Sequence, residues 1–359
     1  MNAILMLQDG KIFSGKTTGP IKEVIGEVIL NTAVVGYQEM ATDPANRGKI
    51  LVLTYPLVGN YGINPKFNES PQWQLSGLVV KETSRIISNW QAKTSLEDFA
   101  KKQDALILHK VDTRSLAVYL RHKGEMLGII AGLSSDPKAL LAKIDTYRKS
   151  QTRDLIRATS TAKSSYLGSN RARQKIAILD LGVTTDLLAQ LQSLGAGIFI
   201  LPHTATAKEI TKTKAGGLII SNGPENDVSL EKIAETIRPL LGAIPILGIS
   251  TGLHVLALAM GAKISRMKLG HHGINYPVAH PGSFKAEITV QNHSFVVDSD
   301  SLDKIKNVKA VGYHLNDRTI EEVANNKLRC MGIQYYPQSP GKGQVHSVLK
   351  RFMHQCATK

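Results

Sequence analysis

Two different hydrophobic patterns divide the chain. In residues 1–148, short segments either alternate apolar and polar residues or are apolar throughout, and turn residues separate them. This pattern predicts strands at residues 3–8, 27–31, 50–54 and 77–81, with Asp9-Gly10 as a hairpin turn. Helical spacing predicts helices at 95–102, 113–123 and 137–148, with Gly124 as a C-cap. The first part should therefore contain both strands and helices.

From Gln174 onward, short apolar segments alternate with helical patterns. The predicted strands are 175–179, 198–202, 217–221 and 244–249, and the predicted helices are 186–194, 230–241 and 251–260. Such alternation predicts a parallel sheet flanked by helices, whose ligand crevice lies beyond the carboxyl ends of the strands. The turns after Asp180, Ser221 and Ile249 should therefore meet at the site.

The segment between these two parts differs from both in composition. Residues 149–173 are rich in Ser, Thr, Lys and Arg and show little periodicity, which predicts a linker. A chain of 359 residues is also long for a single core. We therefore predict a first domain at 1–148, a linker at 149–173 and a second domain at 174–359.

Composition and charge narrow the function classes. The net charge of +15 comes from 44 Lys and Arg against 29 Asp and Glu, which is compatible with an acidic partner. No zinc finger, aromatic RNA-binding strand or basic heptad accompanies the charge, so we expect no nucleic-acid binding. No apolar stretch is long enough to span a membrane, and no signal peptide is evident, so a cytoplasmic protein is expected. The two cysteines give neither a disulfide framework nor a zinc-site spacing.

Residues 248–252, Gly-Ile-Ser-Thr-Gly, lie between an apolar strand and an apolar helix in this prediction. The glycines suit a sharp turn that presents Ser250 at the sheet edge, beside the free N–H groups of a helix N-terminus. Taken literally, this is the G-x-S-x-G nucleophile elbow of α/β-hydrolases, which also need a later acid and a later histidine. The chain offers later acids and histidines, but none lies in a distinctive sequence context. They are Asp298, Asp300, Asp317, His314, His346 and His354.

Longer motifs carry a more specific resemblance. Residues 246–262, ILGISTGLHVLALAMGA, resemble the nucleophile segment of class I glutamine amidotransferases, and most closely that of carbamoyl-phosphate synthase small subunits. Segments 219–227, 267–278, 291–298 and 332–341 resemble further motifs of that subunit. In the first part, segments 30–44, 53–64 and 111–124 resemble the domain found only in these subunits. These motifs occur in collinear order over nearly the whole chain.

The resemblance implies an α/β protein: a small-subunit-specific α+β domain, then an amidotransferase-like domain with a mostly parallel sheet flanked by helices. In that family the small subunit hydrolyses glutamine and delivers ammonia to a large synthetase subunit. ATP and Mg²⁺ would be bound by the large subunit, so no cofactor is expected in this chain. The implied partner is a large subunit, and the implied pathways are arginine and pyrimidine biosynthesis.

The chemistry that the resemblance leads one to expect is nevertheless missing from this sequence. The position of the family's nucleophilic Cys is Ser250, that of its His base is Tyr336, and that of its orienting Glu is Gln338. A hydroxyl needs a base to become a nucleophile near neutral pH, and neither a phenol nor an amide is an ordinary base there. We therefore expect none of the three positions to be catalytically functional.

The positions that bind glutamine in the family are mostly altered as well. Glu225 replaces a glycine of the oxyanion loop, where bulk and negative charge disfavour a developing oxyanion. Thr251 replaces Leu, His254 replaces Gln, and the glycine between His293 and Phe295 is Ser294. The full set of family positions is Ala45, Gly223, Glu225, Thr251, His254, Asn292, Ser294 and Phe295, of which Gly223, Asn292 and Phe295 keep the family residue.

Several interpretations of function remain open from the sequence. The first is a catalytically inactive small subunit with a structural or regulatory role in an ammonia-using complex. Others are a free-standing pseudoenzyme whose altered pocket binds another small molecule, a hydrolase using Ser250 with His254 one helical turn away, and an ordinary glutaminase despite these residues. His271-His272 resembles a metal pair, but adjacent side chains in an extended loop diverge, so we expect no metal site.

Overall fold

The computed structural model describes residues 1–150, 154–283 and 285–357. The chain divides into two compact units. One comprises Met1–Arg153 and Lys268–Gly273, and the other comprises Asp154–Met267 and Ile274–Lys359, in each case only as far as their residues are described. Within those described residues, no helix combines the length and hydrophobicity that a bilayer crossing requires.

The first unit is built on a closed barrel with strand order β1-β2-β8-β6-β4-β3-β9. The strands of this unit are β1 (Asn2–Leu7), β2 (Ile12–Thr17), β3 (Val24–Asn31), β4 (Lys49–Leu53), β5 (Leu57–Val58), β6 (Gly77–Val79), β7 (Glu82–Thr83), β8 (Ile107–His109) and β9 (Met126–Gly132). Its helices are α1 (Tyr37–Thr42), α2 (Leu96–Lys102), α3 (Thr113–Lys123) and α4 (Pro137–Lys149).

Local sequence signals explain the boundaries of this unit. Strands β1 and β2 form an antiparallel hairpin, and Gly10 in its turn has a φ of 88°, which glycine adopts without steric cost. The side chains of Ser95, Asp112 and Asp136 cap helices α2, α3 and α4 by accepting main-chain N–H groups. The predicted helices of this unit agree with the structure to within two residues at each end.

The second unit contains the long sheet. Its strands are β10 (Ser165–Leu167), β11 (Lys175–Asp180), β12 (Gly197–Pro202), β13 (Gly217–Ile220), β14 (Ile246–Ile249), β15 (Ile264–Ala279), β16 (Ala286–Val297), β17 (Lys309–His314), β18 (Ile320–Asn325) and β19 (Cys330–Ile333). Its helices are α5 (Leu155–Thr159), α6 (Thr185–Ser193), α7 (Ala207–Lys212), α8 (Leu230–Ile237), α9 (Thr251–Met260), α10 (Ser299–Leu302) and α11 (Ser347–Ala357).

The sheet order β10-β12-β11-β13-β14-β19-β18-β17-β15-β16 places a parallel block at the centre. Strands β12, β11, β13, β14 and β19 pair in parallel, whereas β10 and β18 join this block in antiparallel fashion. Separate buried apolar clusters pack on the two sides of the parallel strands, as expected when helices cover both faces. The α/β class with a parallel-rich sheet is thus confirmed.

Two regions differ from the sequence-based expectation. Part of the predicted linker has structure, because α5 lies at Leu155–Thr159 and β10 pairs with β12. Ile156 is buried, and one buried side chain leaves too little periodicity to reveal the helix; residues 151–153 of the predicted linker lie outside the described part. Helix α8 ends at Ile237, earlier than predicted, because Pro239 disfavours a continued helix and a 3₁₀ turn follows at Arg238–Leu240.

Candidate functional site

Three strand-to-helix turns meet at the carboxyl edge of the parallel block, as the alternating pattern predicted. Strands β11, β13 and β14 are neighbours in the sheet. The main-chain N–H of Leu181 donates to Ser221 Oγ over 2.9 Å, and the Thr251 hydroxyl donates to the Gly223 carbonyl over 2.6 Å. These two hydrogen bonds join the turns that follow the three strands, so the edge forms one hydrogen-bonded structure.

Ser250 occupies the turn between β14 and α9 in a strained conformation. Its φ of 51° and ψ of −111° lie outside the favoured regions for a residue with a side chain. The N–H of Ser250 donates to the Ile333 carbonyl over 2.7 Å, and its carbonyl accepts from Leu253 over 2.8 Å, so the ladder and the helix hold it there. The sharp turn of a nucleophile elbow is therefore present in this chain.

The Ser250 hydroxyl is fully buried, with 0% of the residue exposed. Among the described residues, no hydrogen-bond partner lies within reach of Ser250 Oγ. A serine that acts as a nucleophile needs a base at hydrogen-bond distance to take its proton. The main chain of Ser250 therefore has the conformation of a nucleophile elbow, but no base in the described part of the chain is hydrogen-bonded to its hydroxyl.

The glycines around this turn are required by packing alone. A Cβ at Gly252 would lie 2.0 Å from the Ile220 carbonyl oxygen, and one at Gly248 would lie 2.5 Å from the Gly252 carbonyl oxygen. At Gly223, a Cβ would lie 2.3 Å from the Leu181 carbonyl oxygen. Their presence therefore follows from the close approach of the three turns, whether or not a substrate binds.

His254 lies one turn into α9 and is held by a residue that the sequence analysis did not single out. Its Nε2 lies 3.0 Å from Gln334 Oε1, and both residues are buried. The amide oxygen accepts, so His254 Nε2 carries the proton. Burial lowers the pKa of His254 by more than the nearby Glu225 carboxylate raises it. The imidazole is therefore neutral at pH 7.

Tyr336 and Gln338 follow the last strand of the parallel block. The main chain of Tyr336 pairs with Val290, and its hydroxyl lies 3.5 Å from Asn292 Nδ2. Gln338 is exposed, and its main-chain N–H donates to the Tyr336 carbonyl. The three positions that the resemblance assigns to a triad thus present a buried hydroxyl, a half-buried phenol and an exposed amide.

Glu225 lies in the loop between β13 and α8, and its carboxylate contacts β16. Its Oε2 accepts from the Ser294 N–H over 2.9 Å, and its Oε1 accepts from the Phe295 N–H over 3.4 Å. Only 4% of Glu225 is exposed. The structure therefore brings three of the predicted pocket positions into direct contact with one another.

Proteins of known sequence resemble this chain over nearly all its length. Residues 5–130 match the model of the carbamoyl-phosphate synthase small chain, CPSase domain, and residues 177–356 match that of the class I glutamine amidotransferases. The carbamoyl phosphate synthase small chain of Syntrophotalea carbinolica is 37% identical, covering 98% of this chain and 97% of that protein. The small chain of Chlorobaculum tepidum is 36% identical, covering 98% and 96%. The chain belongs to the carbamoyl-phosphate synthase small-chain family.

This membership confirms the family resemblance and the expected order of the two folds. Among solved structures, a glutamine amidotransferase from Thermotoga maritima covers 46% of this chain and 76% of its own, with a TM-score of 0.35 and 16% identity.

Ala45, the remaining predicted position of this small-chain homologue, lies in the first unit. It is buried in the 3₁₀ turn Pro44–Asn46, and its N–H donates to Asp43 Oδ1 over 3.0 Å. His271 and His272 lie within strand β15 rather than in the expected loop. His272 Nε2 lies 3.2 Å from Glu125 Oε1, and both side chains are fully buried, which agrees with a structural role.

Sequence reasoning did not assign the roles of two residues, Asp180 and Gln334, in this small-chain homologue. Asp180 accepts the N–H groups of Gly182, Val183 and Thr161, and its burial raises its pKa despite them. Gln334 fixes His254, as described above. An Asp at the end of a strand, two residues before a glycine, was a usable signal for the first, whereas nothing in the local sequence around Gln334 distinguishes it.

Neither cysteine is one of the candidate site residues. Cys330 and Cys356 are free thiols, and burial raises the pKa of each to about 12. Because the thiolate is the nucleophilic form, neither thiol is reactive near neutral pH.

Proposed function

We propose that this small-chain homologue does not hydrolyse glutamine and serves as a structural or regulatory subunit of an ammonia-using carbamoyl-phosphate synthase in the cytoplasm. The observation that carries the proposal is the buried Ser250 hydroxyl without a hydrogen-bond partner among the described residues. Amide hydrolysis by a hydroxyl requires a base to take its proton in the attacking step. Within the described ranges, no such group is hydrogen-bonded to Ser250.

The neighbouring groups do not supply that base. Tyr336 is a phenol, which is an acid rather than an ordinary base near neutral pH. Gln338 is exposed and uncharged, so it neither orients nor stabilises an imidazolium. His254 Nε2 is hydrogen-bonded to Gln334, and its other nitrogen, Nδ1, makes no hydrogen bond to Ser250 Oγ. Each feature supports a site that has lost the glutaminase reaction.

An ordered apolar surface in the first unit supports a role in partner binding. In the loop 84–92, Ile86 is 78% exposed and Trp90 is 88% exposed. Hydrogen bonds fix this loop, since the Ser88 N–H donates to the Asn60 carbonyl over 2.8 Å and the Ile86 N–H donates to Ser84 Oγ. Large apolar side chains held at a surface characterise protein interaction sites. We propose that the domain at residues 1–148 binds the large synthetase subunit through this loop.

The decisive experiment compares nitrogen donors. The chain is co-expressed with a large subunit from the same source, and the purified complex is assayed for carbamoyl phosphate with ammonium or glutamine, with ATP, Mg²⁺ and bicarbonate. We expect an approximately equimolar complex that is active with ammonium and inactive with glutamine. Glutamate release by the isolated chain should equal that of the Ser250→Ala variant.

Two results would contradict the proposal separately. Glutamine-dependent synthesis that disappears in Ser250→Ala would show that the site remains catalytic. Failure of the chain to bind any large subunit, with the fold intact, would contradict the subunit role and favour a free-standing protein.

A further inference from the structure

The Glu225 carboxylate occupies a position that is suited to a bound carboxylic acid. Two successive main-chain N–H groups, from Ser294 and Phe295, donate to its two oxygens over 2.9 and 3.4 Å. Successive N–H groups that converge on one anion are a recurrent way in which proteins hold carboxylates. In this chain the carboxylate comes from the protein itself.

The loop that carries Glu225 is fixed at its base. The Thr251 hydroxyl donates to the Gly223 carbonyl over 2.6 Å, two residues before Glu225. Gly223 also packs so closely against the Leu181 carbonyl that it leaves no room for a side chain. Two residues after Glu225, Asp227 accepts the N–H groups of Ile156 and Ser229 over 2.9 and 2.8 Å. Because both sides of the loop are anchored, the side chain is held at its two donors.

A tethered carboxylate has an advantage over a free one. Its effective concentration at the N–H groups is in the millimolar range or above, and it gives up no translational freedom on binding. A free amino acid would have to displace it and leave Glu225 buried without those hydrogen bonds. Free carboxylic acids at concentrations below this effective concentration therefore do not displace Glu225 from the two N–H groups.

We propose that Glu225 is a built-in occupant of a carboxylate-binding subsite, which closes this pocket to free amino acids such as glutamine and glutamate. The inference deepens the proposed function and rests on it in one respect, namely that the pocket no longer takes up glutamine. It adds a specific cause for the loss of glutamine binding: the Glu225 carboxylate occupies the main-chain donors of an intact subsite. Shortening the Glu225 side chain should make those donors available. The ligand class of the opened subsite is a small carboxylate, such as an α-amino acid.

Binding measurements on a pair of matched variants test this proposal. Glu225→Gly removes the occupant, whereas Glu225→Gln keeps its length and one acceptor oxygen. Titration calorimetry with glutamate, glutamine and acetate should give no detectable binding to the wild type or to Glu225→Gln. We expect Glu225→Gly to bind glutamate at least about tenfold more tightly than the wild type. Glutamate should also raise the melting temperature of Glu225→Gly alone.

Hydrogen exchange on the wild-type protein gives a test that does not depend on whether Glu225→Gly folds. The Ser294 and Phe295 amide protons should exchange slowly in the wild type, and glutamate should not change their rates. Rapid exchange of both amides, binding of glutamate to the wild type as tight as to Glu225→Gly, or a folded Glu225→Gly that binds no carboxylate would each overturn the proposal. All three outcomes are binding results that overturn this inference and leave the absence of glutamine hydrolysis standing, whereas glutamate release from glutamine by the wild type would contradict both the inference and the proposed function.

Discussion

At the scale of single residues, the site combines an unfavourable conformation with an unpaired polar group. Ser250 has a positive φ, and its hydroxyl is buried without a partner among the described residues. Each of these features costs on the order of 1–3 kcal/mol. Strain of this kind persists when the surrounding structure enforces it, and here the hydrogen bonds to β19 and α9 do so. The chain keeps the main-chain conformation of a nucleophile elbow at this cost.

Substitutions at Ser250 should therefore stabilise the protein. Ser250→Ala removes the unpaired hydroxyl, and we expect a gain of about 1 kcal/mol in the free energy of unfolding. Ser250→Gly also relieves the positive φ and should gain about 1 kcal/mol more. Urea denaturation of both variants measures the effect. A loss of stability in both would mean that the hydroxyl makes a favourable contact in the folded protein.

His254 should make stability depend on pH in one direction. Burial lowers its folded-state pKa, whereas the unfolded chain has the ordinary value of about 6.5. As pH falls through that value the unfolded state takes up a proton and the folded state does not, so this contribution destabilises only below about pH 7. His254→Gln should reduce the fall in unfolding free energy by up to about 1.4 kcal/mol per pH unit.

Denaturation curves between pH 5 and pH 8 test this expectation. His122→Gln, at an exposed position near the end of α3, serves as the matched control. An identical pH profile for His254→Gln and the wild type would show that the His254 imidazole takes up a proton equally in the folded and the unfolded protein.

At the scale of elements, the strand-to-helix turns are fixed by side chains that accept main-chain N–H groups. Asp227 connects the loop after β13 to the first turn of α5, since its Oδ2 accepts the Ile156 N–H over 2.9 Å. This contact explains why part of a segment with linker-like composition is ordered. Helix α9 is mostly apolar and is packed on more than one face, with Val255 and Leu253 in different buried clusters.

Asp227→Ala should release the segment around α5 without unfolding the sheet. The lost hydrogen bonds to a largely buried carboxylate are worth about 1–3 kcal/mol, so local opening becomes more frequent. Limited trypsin digestion should then cut after the exposed Arg157 several times faster than in the wild type. Asp227→Asn retains one acceptor oxygen and should fall between the two. Equal cleavage rates in all three proteins would assign the order of this segment to other contacts.

At the scale of the whole molecule, the chain keeps both folds of the small-chain family, although the resemblance predicts that the family's three catalytic side chains are all replaced. The exposed apolar loop at 84–92 offers an explanation for why such a fold would be retained. Trp90→Ser should weaken large-subunit binding by about tenfold or more without changing the melting temperature, because the side chain is 88% exposed. Val118→Ser, at a residue 51% exposed on α3, is the control. Equal weakening by both variants, or by neither, would place the interface elsewhere.

Restoring the site should require more than the triad. We expect the triple variant Ser250→Cys, Tyr336→His and Gln338→Glu to release no more glutamate from glutamine than Ser250→Ala, because Glu225 still holds the carboxylate subsite. Adding Glu225→Gly should raise glutamate release at least about tenfold above the triple variant, since thiolate chemistry and substrate access are then both available. Activity in the triple variant alone would show that Glu225 does not block the pocket.

Much of the architecture is encoded locally and could be predicted. Alternating strands and helices after Gln174 predicted the parallel block, and the glycines around Ser250 predicted its sharp turn, because side-chain periodicity records which face of an element is buried. The antiparallel strands β15–β18 were not predicted, since irregular burial along β15 and β16 hides the period of two. The identities of Ser250, Tyr336 and Gln338 were sufficient to predict a missing base.

The contacts within the site were decided only by the tertiary structure. Glu225 and Ser294 are 69 residues apart, and His254 and Gln334 are 80 apart. No local pattern predicts such pairs, because they depend on strand order and on the path of a loop between distant strands. The sequence alone therefore predicted which of the family's catalytic groups are replaced in this protein. Only the folded chain determined that a glutamate of its own binds the main-chain donors of the altered pocket.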